Sequence, residues 1–180
     1  LPILAYVADV GGDTNVNLLG GTITGNVYGG GQGSLGKKDA DNPEIYTEEP
    51  VAALVGSTEV NLNGSIVKGN IFGCNNLNGT PKGSVTVNIY KTVGYEGHMR
   101  TGANAETEEA REAALSNIDV NQHTYELNTV YGGGNLAAYE PTETTAHTQV
   151  NIYGCGETSI HQVYGGGNAA STPSTSVTVN

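Results

Sequence analysis

The carboxylates that could act on a substrate are few in this chain and do not recur at one position. A pair of carboxylic acids on either side of a glycosidic bond can hydrolyse it, one as proton donor and the other as base or nucleophile. The best candidates for such a pair are Glu140, Glu143 and Glu157. The outward-facing positions of the predicted strands carry Asn, Thr and Tyr and little charge. The sequence therefore favours a non-catalytic role over an enzymatic one.

Three other patterns resemble cofactor or metal sites but lack the context that each site needs. The segment GQGSLG at 31–36 matches the glycine fingerprint of dinucleotide-binding proteins, but KKDADNPE follows where a helix is required. The run DAD at 39–41 lacks the other ligands of a calcium-binding loop. The histidines show no spacing typical of a zinc site; they are His98, His123, His147 and His161. We therefore expect no metal and no cofactor.

An aromatic residue recurs within a phrase that is written four times. The phrase reads VYGGGQ at 27–32, IFGCNN at 71–76, and VYGGGN at 130–135 and 163–168. If like positions stack, the rings form a ladder that stabilises the fold by about 0.5–1.5 kcal/mol per contact. The same rings are the candidate ligand-binding residues, as a platform on which sugar rings could stack: Tyr28, Phe72, Tyr131 and Tyr164.

A second phrase, rich in valine and asparagine, recurs upstream of the aromatic phrases. It reads TNVNLLG, TEVNLNG, VTVNIYK, TQVNIYG and VTVN, beginning at residues 14, 58, 85, 148 and 177. In VTVNIYK, alternation places Val85, Val87 and Ile89 on one face of a strand. Between the two phrases lies a short middle element, such as GTITG or GSIVKG, which is predicted to form a strand of its own.

The spacing of these phrases predicts stacked repeats. Val60 and Val87 are 27 residues apart, and Val150 and Val179 are 29 apart. Periods of about 20–50 residues are typical of stacked repeats. Three short strands per unit predict an all-β fold, a single-stranded parallel β-helix (β-solenoid) of about four to five coils. Val16, Val60, Val87 and Val150 should then form one internal column.

Glycine and asparagine have structural interpretations in such a fold. Glycine accounts for 27 of 180 residues, about twice its usual frequency, and the triple glycine is interpreted as a corner where the backbone turns with positive φ. The amides of one position can hydrogen-bond from coil to coil; these are Asn17, Asn61, Asn88, Asn151 and Asn180. Cys74 and Cys155 occupy different positions of the repeat, so no disulfide is implied.

Three segments interrupt the repeats and are predicted as insertions at about 33–56, 92–128 and 136–147. Within the second, 104–117 is typical of one short helix, since Asn104 can cap it and acidic residues crowd its first turn. Loops on a rigid scaffold are where binding usually occurs. We expect residues 1–180 to be one β-helix segment of a longer protein, because the chain stops within a strand and a solenoid needs a cap.

The charge of the chain restricts its partners. The formal net charge is −11, which argues against nucleic acid and anionic lipid, because both bind basic surfaces. No apolar run approaches the roughly 18 residues of a membrane-spanning helix. We expect a secreted or cell-surface protein without direct membrane insertion.

With both phrases taken together, the chain resembles the right-handed parallel β-helix repeat regions of bacterial surface and adhesin-like proteins. The xVNIYG and VYGGGN phrases carry the resemblance over roughly half of the chain. The resemblance implies a structural stalk or an adhesive surface, with a glycan, a host or surface protein, or neighbouring repeats of the same chain as partners. The same fold also carries polysaccharide lyases, glycoside hydrolases and trimeric phage tailspikes, which remain alternatives.

Overall fold

The computed structural model of the chain describes residues 9–92, 107, 109–110, 126–154 and 157–180. These residues form an all-β fold in which parallel sheets dominate. The strands are β1 (Thr14–Leu18), β2 (Thr22–Ile23), β3 (Val27–Tyr28), β4 (Lys37–Lys38), β5 (Tyr46–Glu48), β6 (Ala53–Val55), β7 (Thr58–Asn63), β8 (Ile66–Phe72), β9 (Gly79–Pro81), β10 (Val85–Lys91), β11 (Leu127–Tyr131), β12 (Thr148–Ile152), β13 (Ile160–Tyr164) and β14 (Thr175–Val179).

The strands of the valine–asparagine phrase form the first parallel sheet, in the order β1-β7-β10-β12-β14. Each of the three inner strands therefore pairs with the corresponding strands of the repeats before and after it. The central valines are direct partners from one strand to the next: Val16, Val60, Val87, Val150 and Val177. The valine column predicted from the first four is confirmed.

The last strand of this sheet, β14, pairs two residues away from the predicted position. The predicted alignment of Val179 with Val150 is wrong, because Val150 pairs with Val177. The interval is therefore 27 residues again, and Thr178 rather than Asn180 stands opposite Asn151. A shift of two residues preserves the alternation of apolar and polar faces, so alternation alone cannot set this register.

The middle and aromatic phrases share a second parallel sheet, in the order β13-β11-β8-β2, with β3 also paired to β8. Because β8 runs unbroken from Ile66 to Phe72 and β13 runs unbroken from Ile160 to Tyr164, the prediction of separate middle and aromatic strands is wrong for these two repeats. Gly69 lies inside β8 and does not turn the chain; a Cβ there would collide with Gly25 and with the Asn26 side chain. Close packing, and not a corner, explains this glycine.

The hydrophobic core lies between the two parallel sheets. It consists of inward-facing aliphatic residues from both: Val27, Val60, Leu62, Val67, Ile71, Val87, Ile89, Leu127, Val130, Val150 and Ile152. Burial decreases toward the edge strand β14, where Val177 and Val179 are exposed. Each strand thus depends on its neighbours in the sheet to keep its apolar side chains from water.

Two of the predicted insertions contribute to the packed structure. Within 33–56, β6 pairs in parallel with β9 and buries Ala53 and Val55, whereas β4 and β5 form an exposed antiparallel hairpin. Within 136–147, Tyr139 is fully buried. These segments are therefore not only polar surface, and the sequence alone did not separate their buried positions from their exposed ones.

The helix predicted at 104–117, with its cap at Asn104, lies outside the described residues except at Thr107, Glu109 and Ala110. Glu109 and Ala110 have helical backbone conformation. The Ala110 N–H donates a hydrogen bond to Thr107 Oγ1 at 3.2 Å, which is the contact that a capping threonine makes in a first helical turn.

The glycines of the aromatic phrases are required by close packing of successive backbones. None of the glycines in these four phrases has a positive φ, so the prediction of positive-φ corners is wrong for them. A Cβ added at Gly29 would collide with the carbonyl oxygen of Gly73; one at Gly73 would collide with that of Gly132, and one at Gly132 with that of Gly165. The first glycine of each phrase thus belongs to a column that has no room for a side chain.

Gly132→Ala should destabilise the protein by about 1–3 kcal/mol, because the added methyl group overpacks the contact with Gly165. Gly20→Ala is the matched control, since a Cβ at Gly20 meets no heavy atom within 4 Å, and such substitutions usually change stability by about 0.5 kcal/mol or less. Urea titration gives the free energy of unfolding of both variants. Equal stability of the two would contradict the packing role of Gly132.

Candidate functional site

The four candidate ligand-binding side chains are stacked in one aromatic column. Strand pairing places Tyr28 beside Phe72, Phe72 beside Tyr131, and Tyr131 beside Tyr164. Successive ring centroids are 5.0, 4.8 and 5.3 Å apart, with interplanar angles of 8°, 3° and 14°. All four residues singled out in the sequence are thus brought together.

The stacking leaves few aromatic faces uncovered. Phe72 is 1% exposed, with Tyr28 over one face and Tyr131 over the other. Tyr164 is 45% exposed, and among the described residues only Tyr131 stacks on it. A ligand that stacks on a ring needs an open face, so the ends of the column, and Tyr164 above all, are better placed to bind one than Phe72.

A column of asparagine amides runs across the outward face of the first sheet. Asn61 Nδ2 donates to Asn17 Oδ1 at 3.1 Å, and Asn88 Nδ2 donates to Asn61 Oδ1 at 2.8 Å. Asn151 Nδ2 donates to Asn88 Oδ1 at 2.9 Å. Every link runs from the later strand to the earlier one. The predicted amide ladder is confirmed for these four residues, and Asn180 is not part of it.

A second amide column is formed by the last residue of each aromatic phrase, Gln32, Asn76, Asn135 and Asn168. From Asn76 onward, each side-chain N–H donates to the side-chain oxygen of the preceding member, at 2.8, 2.9 and 3.0 Å in order. These residues are not among the predicted site residues. Their recurrence at the sixth position of the phrase is the signal that could have located them.

Threonine hydroxyl groups tie the first sheet to the glycine column. The threonine that opens the strand donates to the carbonyl oxygen of the first glycine in the aromatic phrase that follows. The pairs are Thr14–Gly29 at 2.6 Å, Thr58–Gly73 at 2.7 Å and Thr148–Gly165 at 2.6 Å. This contact was not predicted, although threonine recurs at the first position of the strand; it satisfies a polar group next to the core.

A buried tyrosine and a buried cysteine form a small second cluster. The Tyr139 hydroxyl donates to the carbonyl oxygen of Gly83 at 2.8 Å. Burial raises the pKa of the Tyr139 phenol to about 12, and the negative charge of Glu143 raises it further. Burial also raises the pKa of the Cys74 thiol, which therefore stays protonated and is a poor nucleophile. Cys155 lies outside the described residues.

The three candidate carboxylates do not form one site. Glu140 and Glu143 line a groove of about 510 Å³ together with Pro141. Glu157 does not line this groove, and its Oε1 lies 3.7 Å from the Lys91 Nζ. A glycosidase needs two carboxyl groups across one bond, so only Glu140 and Glu143 meet the first requirement for such a pair.

The glycine fingerprint at 31–36 leads into β4, a strand, and not into the helix that a dinucleotide site requires. The fully buried Asn75 occupies the inside of its loop: Gly31 N–H donates to Asn75 Oδ1 at 3.1 Å, and Asn75 Nδ2 donates to the Ala53 carbonyl at 2.9 Å. The loop amide is thus satisfied by the protein's own side chain rather than left free for a phosphate.

The residues considered as metal ligands make local hydrogen bonds. Asp39 Oδ1 accepts the N–H groups of Asp41 and Asn42, each at 2.9 Å, as in an acidic turn. His161 Nδ1 is 3.3 Å from Asn128 Oδ1. Within the part of the chain that the structure describes, no group of three His, Cys, Asp or Glu side chains is placed to hold a metal ion. Two of the histidines lie outside that part, His98 and His123.

Comparisons of the chain with family models, with curated proteins and with solved structures give no match. In the described ranges, no helix has both the length and the apolar character needed to cross a membrane. Function is therefore inferred from the columns of stacked side chains themselves.

Asn88→Ala should destabilise the protein by about 1–3 kcal/mol, because it leaves the Asn61 oxygen and the Asn151 amide without their partner in a partly buried column. Asn17→Ala, at the exposed end of the same column, should cost about 0.5 kcal/mol or less. Chemical denaturation of both variants is the measurement. A loss at position 17 as large as that at position 88 would contradict a cooperative ladder.

Proposed function

We propose that this chain is a segment of a parallel β-solenoid that serves as a non-catalytic structural stalk. The observation that carries the proposal is the register of the first sheet, in which five successive strands pair valine with valine. On this interpretation each repeat is one coil, and the two parallel sheets are two walls of the stack. Such stacks are quasi-one-dimensional, because each coil contacts only its neighbours and added coils extend the length.

The outward surfaces favour a scaffold over a catalyst. Within each amide column, the side chains hydrogen-bond to one another, and within the aromatic column the rings stack on one another. The recurring side chains therefore use their polar groups and ring faces in contacts with the next repeat. On this proposal the protein is secreted or held at the cell surface, and neighbouring repeats of a longer chain are its main partners. The resemblance to bacterial β-helix surface regions is in keeping with such a role.

Glycan binding at the end of the aromatic column is a second candidate function. Tyr164 favours it, because its ring is 45% exposed and only Tyr131 stacks on it among the described residues. A sugar ring placed there would extend the column by one further stacking contact, worth about 0.5–1.5 kcal/mol if it resembles an aromatic pair. One such site would bind a glycan with low affinity, and several copies of the site would together bind a multivalent glycan more tightly.

A glycan-array screen together with polysaccharide incubations tests the stalk against both alternatives. If the chain is only a structural stalk, we expect no bound glycan and no turnover of polysaccharide. Turnover is measured as new reducing ends and as the absorbance of unsaturated products. Binding that is lost in Tyr164→Ala and retained in Tyr46→Ala, a control tyrosine exposed on β5, would establish the second candidate instead. Turnover that is abolished by Glu140→Gln or Glu143→Gln would overturn the non-catalytic assignment.

A further inference from the structure

A separate pair of stacked tyrosines lies on the outward face of the first sheet. Tyr90 belongs to β10, and Tyr153 directly follows β12. Their ring centroids are 4.9 Å apart and their planes differ by 8°. Tyr90 is 40% exposed, and Tyr153 is half-buried. Neither the core nor the aromatic column uses this pair.

Local backbone structure places the two rings together. The pairing of β10 with β7 shifts between Ile89 and Lys91, so Tyr90 is the extra residue of an irregularity in the strand. Such bulges redirect a side chain. On the other side, the Tyr153 N–H donates to the Ile89 carbonyl at 2.7 Å. Both rings are therefore anchored by main chain that belongs to adjacent strands.

This pair differs from the other tyrosines in access and in partners. Tyr139 is fully buried, and its hydroxyl is bonded to a carbonyl. Tyr131 and Tyr164 are 5.3 Å apart, but Phe72 covers the other face of Tyr131, and the Tyr131 hydroxyl donates to an amide oxygen. Among the described residues, the rings of Tyr90 and Tyr153 are the closest two tyrosine rings.

We propose that Tyr90 and Tyr153 form a dityrosine cross-link when a peroxidase and hydrogen peroxide act on the protein. Each phenol loses one electron and one proton, and the two phenoxyl radicals couple through a bond between their Cε carbons, ortho to the oxygens. The hydrogens on those carbons then move to the oxygens and restore both phenols. The peroxide takes up the two electrons and two protons and is reduced to two molecules of water.

The product is a covalent clamp between two adjacent strands whose tyrosines are 63 residues apart in the chain. Closing a long loop removes conformational freedom from the unfolded chain, as a disulfide does. The cross-linked protein should therefore unfold at a higher denaturant concentration. This inference depends on the ring geometry and does not require the stalk function to be correct.

Combined digestion after Lys, Arg and Glu identifies the cross-link without ambiguity. Fragment 83–91 contains Tyr90 as its only tyrosine, and fragment 144–157 contains Tyr153 as its only tyrosine. After treatment with peroxidase and hydrogen peroxide, mass spectrometry of the monomeric fraction should detect these two fragments joined, with the loss of two hydrogen atoms. The competing pair would instead join fragment 127–143, which contains Tyr131 and the buried Tyr139, to fragment 158–180, in which Tyr164 is the only tyrosine. The bond after Glu140 is not cut because Pro141 follows it.

Tyr90→Phe keeps the ring stack but removes one phenol, so the conjugate of 83–91 with 144–157 and the upward shift in unfolding midpoint should both be lost. Tyr164→Phe is the matched control and should keep both. Circular dichroism verifies that each variant is folded. The proposal is overturned if the wild-type protein forms no such conjugate while free tyrosine is oxidised in the same reaction, or if the Tyr131–Tyr164 conjugate is the main product.

Discussion

Parallel strands lie about 4.8 Å apart, and in this protein that distance sets each side chain against its counterpart in the next repeat. Valine packs on valine along the core, and Phe72 stacks on Tyr131 with ring centroids 4.8 Å apart. The same spacing lets the Asn88 amide reach the Asn61 oxygen at 2.8 Å. A residue is therefore favoured at a given position when it interacts well with a second copy of itself. Repetition of the phrases follows from that requirement.

The glycine columns result from the same spacing between repeats, which leaves no room for a side chain at some positions. Where the chain leaves the second sheet, successive backbones approach so closely that a Cβ on Gly29, Gly73 or Gly132 would meet a carbonyl oxygen of the next repeat. The threonine hydroxyl groups that bond to the carbonyl oxygens of Gly29, Gly73 and Gly165 hold the same region against the first sheet. Packing density, rather than backbone handedness, thus selects glycine here. The polar and aromatic columns stabilise the stack.

Much of this architecture could be predicted from the sequence because contacts between like residues leave a periodic signal. The pairing of Val60 with Val87, the amide ladder through Asn88 and the aromatic column through Phe72 are all confirmed. The register of β14 could not be predicted, since a two-residue shift keeps every apolar side chain on the core face. The burial of Tyr139 was also missed, because it depends on contacts with distant residues that have no counterpart elsewhere in the chain.

The sequence predicted which residues form the candidate site but not how much of each ring is accessible to a ligand. The sequence placed Tyr28, Phe72, Tyr131 and Tyr164 in one column, and they form one. It did not indicate that the rings would cover one another's faces, because the orientation of a ring depends on its neighbours on both sides. That orientation covers both faces of Phe72 and of Tyr131, and Tyr164 is the most exposed ring of the column.

Methyl–methyl nuclear Overhauser contacts in a protein labelled only at valine methyl groups test the stacking register directly. Val87 should show strong contacts with Val60 and with Val150, its partners on the two adjacent strands. Val60 and Val150 should show none, since they are two strands apart, a distance of about twice 4.8 Å. A Val87 without contacts to Val60 and Val150, or with strong contacts to valines outside this column instead, would contradict the stacked arrangement.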